Sequence, residues 1–63
     1  MLVKFNPGPN KLMAVKILKE ELSINLKKAK DAVDSCTFKC TNQSFKEIKE
    51  KIEENGGEII EYS

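Results

Sequence analysis

The spacing of apolar residues changes repeatedly along this chain, and this change limits the available folds more than any other feature. A spacing of two is typical of strands, whereas a spacing of three and four is typical of helices with one apolar face. The segments follow the order strand, helix, helix, strand, helix, strand within 63 residues. Short strands are not stable alone, and one-sided helices must cover another surface. We therefore predict a single α+β domain over residues 1–63, with a three-stranded antiparallel sheet and three helices on one face.

The first half contains one predicted strand and two predicted helices. Residues 2–5 form the strand, and the Pro7-Gly8-Pro9 turn ends it because proline cannot continue a strand. A helix follows over residues 11–22, with Asn10 as its N-cap, and Asn25 can cap a second helix. The apolar residues at helical spacing are Leu12, Ala14, Val15, Ile17, Leu18 and Leu22 in the first helix, and Leu26, Ala29 and Val33 in the second.

The second half contains two predicted strands around one helix. Residues 36–41 alternate, which predicts a half-buried strand with its two cysteines and Phe38 on one face. Ser44 and Glu47 have the spacing of a capping box and predict the start of the third helix. A glycine in the Asn55-Gly56-Gly57 sequence supplies the left-handed residue that ends it. Residues 58–62 are the last predicted strand.

The composition argues against an enzyme. The chain has no histidine, and all of its 11 basic residues are lysine. The usual acid–base residue near neutral pH and the usual imidazole ligand of metals are therefore missing. No serine has a base beside it, and no glycine-rich phosphate loop is present. We expect no catalytic residue and no cofactor.

The two cysteines predict core residues more than a chemical site. On a strand, Cys36 and Cys40 would lie about 13 Å apart, beyond the reach of a disulfide. No histidines or further cysteines accompany them, so a zinc site lacks ligands. Buried, reduced thiols are favoured over a redox or metal-binding role.

Charge and hydropathy point to a protein partner rather than to nucleic acid or a membrane. No apolar run is long enough for a membrane span, and no export signal is visible, so we expect a cytoplasmic protein. Residues 1–40 hold eight lysines and four acids, giving +4, whereas residues 41–63 hold three lysines and six acids, giving −3. A nucleic-acid reader would use arginine and stacking aromatics, and the helix junction lacks the GXXG loop of a KH domain. The basic half is therefore a candidate docking surface for a protein.

Two interpretations of the helix pair remain open at this point. Leu12 and Val15 could be core residues, with the lysines around them only keeping the surface solvated. Alternatively, lysines could surround exposed apolar atoms of Leu12 and Val15 and form a docking surface.

The helix pair resembles the C-terminal domain of the bacterial ribosomal stalk protein, whose fold the ClpS protease adaptor also resembles. Residues 10–19, NKLMAVKILK, match the family pattern N-K-[VI]-x-V-I-K-x-[VI]-R without a gap. Residues 26–35, LKKAKDAVDS, match its L-K-E-A-K-x-L-V-E stretch, and residues 55–59 are similar to its A-G-A-x-[VI] ending. The resemblance covers nearly the whole chain.

The resemblance implies a non-enzymatic domain whose first two helices recruit translation GTPases, or another ribosome-associated protein. Carried over by position, the partner-binding residues would be Lys11, Leu12, Val15, Lys16, Lys19, Lys27 and Lys30. The alternative is a stand-alone adaptor or regulator that keeps the fold but binds an unrelated protein.

Among the departures of this sequence from the family pattern, four affect the charged residues or the junction of the helix pair. Lys19 replaces an arginine, Ser23 and Asn25 replace two glycines of the helix junction, and Lys28 reverses the charge of a glutamate. We therefore expect a different helix junction and a changed charge on the docking face. Because Met1 directly precedes the first strand, we also expect a stand-alone domain without the family's N-terminal dimerisation segment.

Overall fold

The backbone of the computed structural model, which describes residues 1–63, follows the predicted order of strands and helices. The elements are β1 (Leu2–Asn6), α1 (Lys11–Leu22), α2 (Leu26–Ser35), β2 (Thr37–Lys39), α3 (Asn42–Glu54) and β3 (Glu58–Tyr62). The predicted α+β fold with three helices and a three-stranded antiparallel sheet is confirmed.

Strand β1 lies at the centre of the sheet, because the strand order is β2-β1-β3 and both pairings are antiparallel. Val3 and Phe5 are fully buried, whereas Leu2, Lys4 and Asn6 between and beside them are exposed. This alternation means that one face of the sheet is covered and the other faces solvent.

The core lies between the covered face of the sheet and the helices. Phe5 and Phe38 meet there edge to face, with their ring centroids 5.2 Å apart. Two or three residues from each helix join them, so every helix is held by an apolar stripe. The helical residues of this core are Ala14, Val15, Leu18, Ala29, Val33, Ile48 and Ile52.

Both predicted asparagine caps are confirmed. The Asn10 side chain accepts a hydrogen bond from the Met13 backbone N–H at 3.1 Å, and the Asn25 side chain accepts one from Lys28 at 2.8 Å. Each cap satisfies a backbone donor that the first turn of a helix leaves free. These two caps fix where α1 and α2 begin.

Strand β2 is shorter than its alternation predicts. Helix α2 continues to Ser35, and Cys36 ends it in the left-handed region with φ 59°. Cys36 therefore lies outside the strand, whose residues have extended backbone. Its side chain is exposed, so the prediction that it is buried is wrong. Cys40 follows the strand and is half-buried, and both thiols are free.

Helix α3 begins earlier than predicted. Its N-cap is Thr41, whose hydroxyl accepts a hydrogen bond from the Ser44 backbone N–H at 3.2 Å. The predicted capping box of Ser44 and Glu47 is therefore wrong, because the short β2 leaves Thr41 free to cap. At the other end Gly56 has φ 87°, so the predicted left-handed glycine is confirmed.

Candidate functional site

Helix α1 separates its buried and exposed residues cleanly after its first turn. Ala14, Val15 and Leu18 face the core, whereas Lys16 and Lys19 are exposed. Leu12, in the first turn, is 79% exposed although it continues the apolar spacing. The structure thus resolves the two interpretations of these residues differently: Leu12 lies on the surface, and Val15 is a core residue with 8% of its surface exposed.

Helix α2 begins with a second exposed leucine. Leu26 is 49% exposed, whereas Ala29 and Val33, on the same stripe, are buried. Leu26 therefore has the helical spacing of the two buried residues but is not itself buried. Leu26 is the first residue of α2, and the covering elements bury the stripe only from the next turn onward.

Three hollows on the helix pair bring the seven carried-over residues together on one surface. Their volumes are about 180, 450 and 490 Å³. Lys30 lines all three, Leu12 and Val15 line two, and Leu26 lines the two larger ones. We name this area the Leu12–Leu26 surface; it comprises Lys11, Leu12, Val15, Lys16, Lys19, Leu26, Lys27 and Lys30.

The five lysines of the Leu12–Leu26 surface are all exposed. None of them lies within ion-pair distance of a carboxylate, since the two ion pairs of the protein involve Lys4 and Lys51. Three acids also line the hollows, namely Glu20, Asp31 and Asp34. The surface therefore combines two exposed leucines with an excess of positive charge.

Leu26 is the residue of this surface that the sequence interpretation missed. It has the helical spacing of Ala29 and Val33, and it was not among the partner-binding residues that the resemblance implies. Its position directly after the Asn25 cap was the available signal, because first-turn residues often project past the element that covers a helix. Glu20, Asp31 and Asp34 were also not among the predicted residues.

A larger groove lies on another side of α2. It has a volume of about 660 Å³, and we name it the Lys28 groove. Its lining residues are Glu21, Leu22, Ile24, Lys28, Ala32, Phe38, Lys39, Cys40, Thr41 and Ser44. Lys28, expected to change the charge of the docking face, thus lines this groove and none of the three hollows of the Leu12–Leu26 surface.

Two ionisable side chains in the Lys28 groove are partly withdrawn from water. Burial raises the pKa of the Cys40 thiol above its ordinary value, and the positive N-terminus lowers it by a smaller amount. The Glu21 side chain is 18% exposed, and its Oε1 atom accepts no hydrogen bond. Lys51 Nζ lies 3.3 Å from that oxygen, close enough for an ion pair.

No three histidine, cysteine or carboxylate side chains come together to hold a metal ion. No helix combines the length and apolar character needed to cross a membrane. What the surface presents is apolar contact area beside positive charge.

Comparison with known proteins finds relatives of one kind. The large ribosomal subunit protein bL12 of Syntrophomonas wolfei is 39% identical over 56 residues, which cover 82% of this chain and 45% of that protein. The bL12 proteins of Aquifex aeolicus and Aquifex pyrophilus are each 33% identical over 58 residues, which cover 86% of this chain. The chain thus spans about half the length of the curated relatives it matches.

No family model matches the chain, and no solved structure matches it. The three relatives nevertheless confirm the resemblance indicated by the helix pair, since their similarity extends over more than four-fifths of the chain.

Proposed function

This chain resembles the C-terminal domain of the ribosomal stalk protein bL12, and we propose that it is a non-enzymatic protein-binding domain of the stalk type. The proposed partner is a translation GTPase, and the proposed contact is the Leu12–Leu26 surface. The relatives are proteins of the large ribosomal subunit, so a cytoplasmic location is part of the same proposal.

One observation carries the proposal: Leu12 and Leu26 are exposed on a helix pair whose five surface lysines have no intramolecular ion pair. Burying an exposed leucine against a partner contributes about 1.5–3 kcal/mol. Five lysines contribute more to the association rate and to partner choice than to affinity, because exposed charges remain solvated. The partner surface that complements the Leu12–Leu26 surface is therefore acidic and partly apolar.

The experiment is a titration of the isotope-labelled chain with a purified translation elongation GTPase. We expect the amide signals of residues 11–30 to shift. The double variant Lys16→Glu and Lys19→Glu should weaken binding by at least about tenfold, since both lysines are exposed and each substitution reverses a charge. Neither substitution should unfold the chain, because both side chains are exposed, and circular dichroism checks this.

The matched control is Lys46→Glu with Lys49→Glu, which reverses two exposed charges on α3 instead. We expect this control to bind as the unchanged chain does. Equal weakening by both double variants would mean that only net charge matters, and an absence of shifts in residues 11–30 would contradict the proposed surface.

The alternative function is an adaptor or regulator that binds an unrelated protein through the same surface. The replacement of the family's arginine by Lys19 favours it, because lysine does not provide the two-pronged contact of arginine. The same titration separates the two functions, since the alternative predicts no response to a translation GTPase.

A further inference from the structure

The Lys28 groove is the largest hollow of the molecule and is not used by the proposed function. It opens between α2 and the segment that leads from the end of β2 into α3. Its volume of about 660 Å³ lies within the range of ligand-binding clefts. Apolar side chains line it, among them Leu22, Ile24 and the buried Phe38. The groove can therefore accept an apolar side chain.

The charges around the groove favour an anionic occupant. Lys28 and Lys39 line it, both are exposed, and neither lies within ion-pair distance of an acid. Glu21 is the only acid that lines it, and Lys51 Nζ lies 3.3 Å from its carboxylate. Because the Glu21 charge is offset by Lys51, the two groove lysines leave an excess of positive charge.

The backbone beside the groove favours an extended peptide over a small molecule. Strand β2 is at an edge of the sheet. The β1 side of the sheet forms backbone hydrogen bonds with Cys36, just before β2, and with Cys40, just after it. In an antiparallel pair the residues that bond to the neighbour alternate along the strand. The N–H and C=O groups of Thr37 and Lys39 therefore point away from β1, where a further strand can pair with them.

From these observations we propose that the Lys28 groove binds an extended acidic segment of another protein beside β2. The segment places one apolar side chain against Phe38 and its neighbours, and its carboxylates lie near Lys28 and Lys39. The site is separate from the Leu12–Leu26 surface, so it does not depend on the function proposed above.

The probe for this proposal is the peptide acetyl-Glu-Thr-Leu-Glu-Thr-amide, titrated into the isotope-labelled chain at millimolar concentrations. Because side chains alternate along a strand, its first glutamate lies on the same face as the leucine, towards Lys28, and its second lies on the opposite face, towards Lys39. We expect shifts at the amides of Lys28 and of residues 37–41. We also expect the Thr37 and Lys39 amides to exchange more slowly with solvent, because they donate to the added strand. The same peptide with glutamine in place of both glutamates should bind at least about tenfold more weakly, because it lacks the charges that the lysines attract.

The matched pair of variants is Lys28→Glu and Lys27→Glu, which make the same change at adjacent exposed positions of one helix. Lys28→Glu should abolish peptide binding and leave binding at the Leu12–Leu26 surface unchanged. Lys27→Glu should weaken binding at the Leu12–Leu26 surface and leave binding of the peptide unchanged. This exchange of effects distinguishes failure of the groove proposal from failure of the proposed function.

Three results would overturn the proposal. The first is an absence of shifts at residues 37–41 at millimolar peptide. The second is that the Lys28→Glu and Lys27→Glu variants bind the peptide equally well. The third is that decanoate displaces the peptide and causes the same amide shifts as the peptide does. That result would make the groove a site for small apolar anions.

Discussion

Ser23 adopts the left-handed backbone conformation with φ 54° and ends α1. This conformation costs a residue with a side chain about 1–2 kcal/mol, whereas glycine adopts it freely. Ser23 stands where the stalk-protein family pattern has a glycine. The chain therefore has a serine in a backbone conformation that glycine would adopt more easily. Because α2 begins only three residues later, this single residue helps to set how the two helices of the Leu12–Leu26 surface meet.

We predict that Ser23→Gly stabilises the protein. Relief of the left-handed conformation exceeds the extra freedom of glycine in the unfolded chain, leaving a gain of about 0.5–1 kcal/mol in the free energy of unfolding. Urea denaturation measures this gain. The control Ser23→Ala keeps the unfavourable conformation and should change stability little. A glycine variant less stable than the unchanged protein would contradict the prediction, and a destabilising alanine would show that the serine hydroxyl contributes.

At the scale of elements, the β1–α1 loop and the α3–β3 turn are packed against each other through glycines. A Cβ on Gly8 would lie 2.8 Å from the backbone of Gly56, and a Cβ on Gly57 would overlap the carbonyl oxygen of Asn6. Asn55 also donates from its side chain to the Asn10 carbonyl at 3.1 Å. Since Asn10 caps α1, this contact connects the end of α3 to the turn that carries Leu12.

We therefore predict that Gly57→Ala destabilises the protein by about 1–3 kcal/mol, because the added methyl group forces the two turns apart. Thermal denaturation followed by circular dichroism measures the effect. Glu58→Ala, at the next position, which is exposed, is the control and should change the melting temperature little. A Gly57→Ala protein as stable as the control would show that the turns separate without cost.

On the scale of the whole molecule, positive charge is concentrated on the helix pair and negative charge on α3 and β3. The net charge of +1 conceals this separation. Separated charges orient a protein as it approaches a charged partner and raise the association rate. Both proposed binding surfaces lie on the basic side.

We predict that the association rate with the proposed GTPase falls as salt concentration rises, while the dissociation rate changes less. Salt screens charges beyond about 8 Å at physiological ionic strength, so it weakens long-range attraction more than close contacts. Stopped-flow measurements over a range of salt concentrations provide both rates. An association rate independent of salt would mean that the lysines play no part in the approach.

Much of the fold could be predicted because the signals are local. Asn10 and Asn25 cap helices because their side chains accept hydrogen bonds from backbone N–H groups only three residues ahead. Gly56 adopts a left-handed conformation without a steric penalty because it has no side chain. The stripe of Ile48 and Ile52 likewise needs only a surface to cover. The start of α3 was harder, because Thr41 and Ser44 are both good caps and the length of β2 decides between them.

The sequence by itself determined the order and type of the elements and most of the core, since spacing and caps act within one or two turns. Only the tertiary structure decided which apolar residues stay exposed, because exposure depends on whether a distant element covers them. Leu12 and Leu26 continue buried stripes and yet lie on the surface. Lys27 and Lys28 are adjacent in sequence, but they line different hollows because neighbouring helical residues point in different directions.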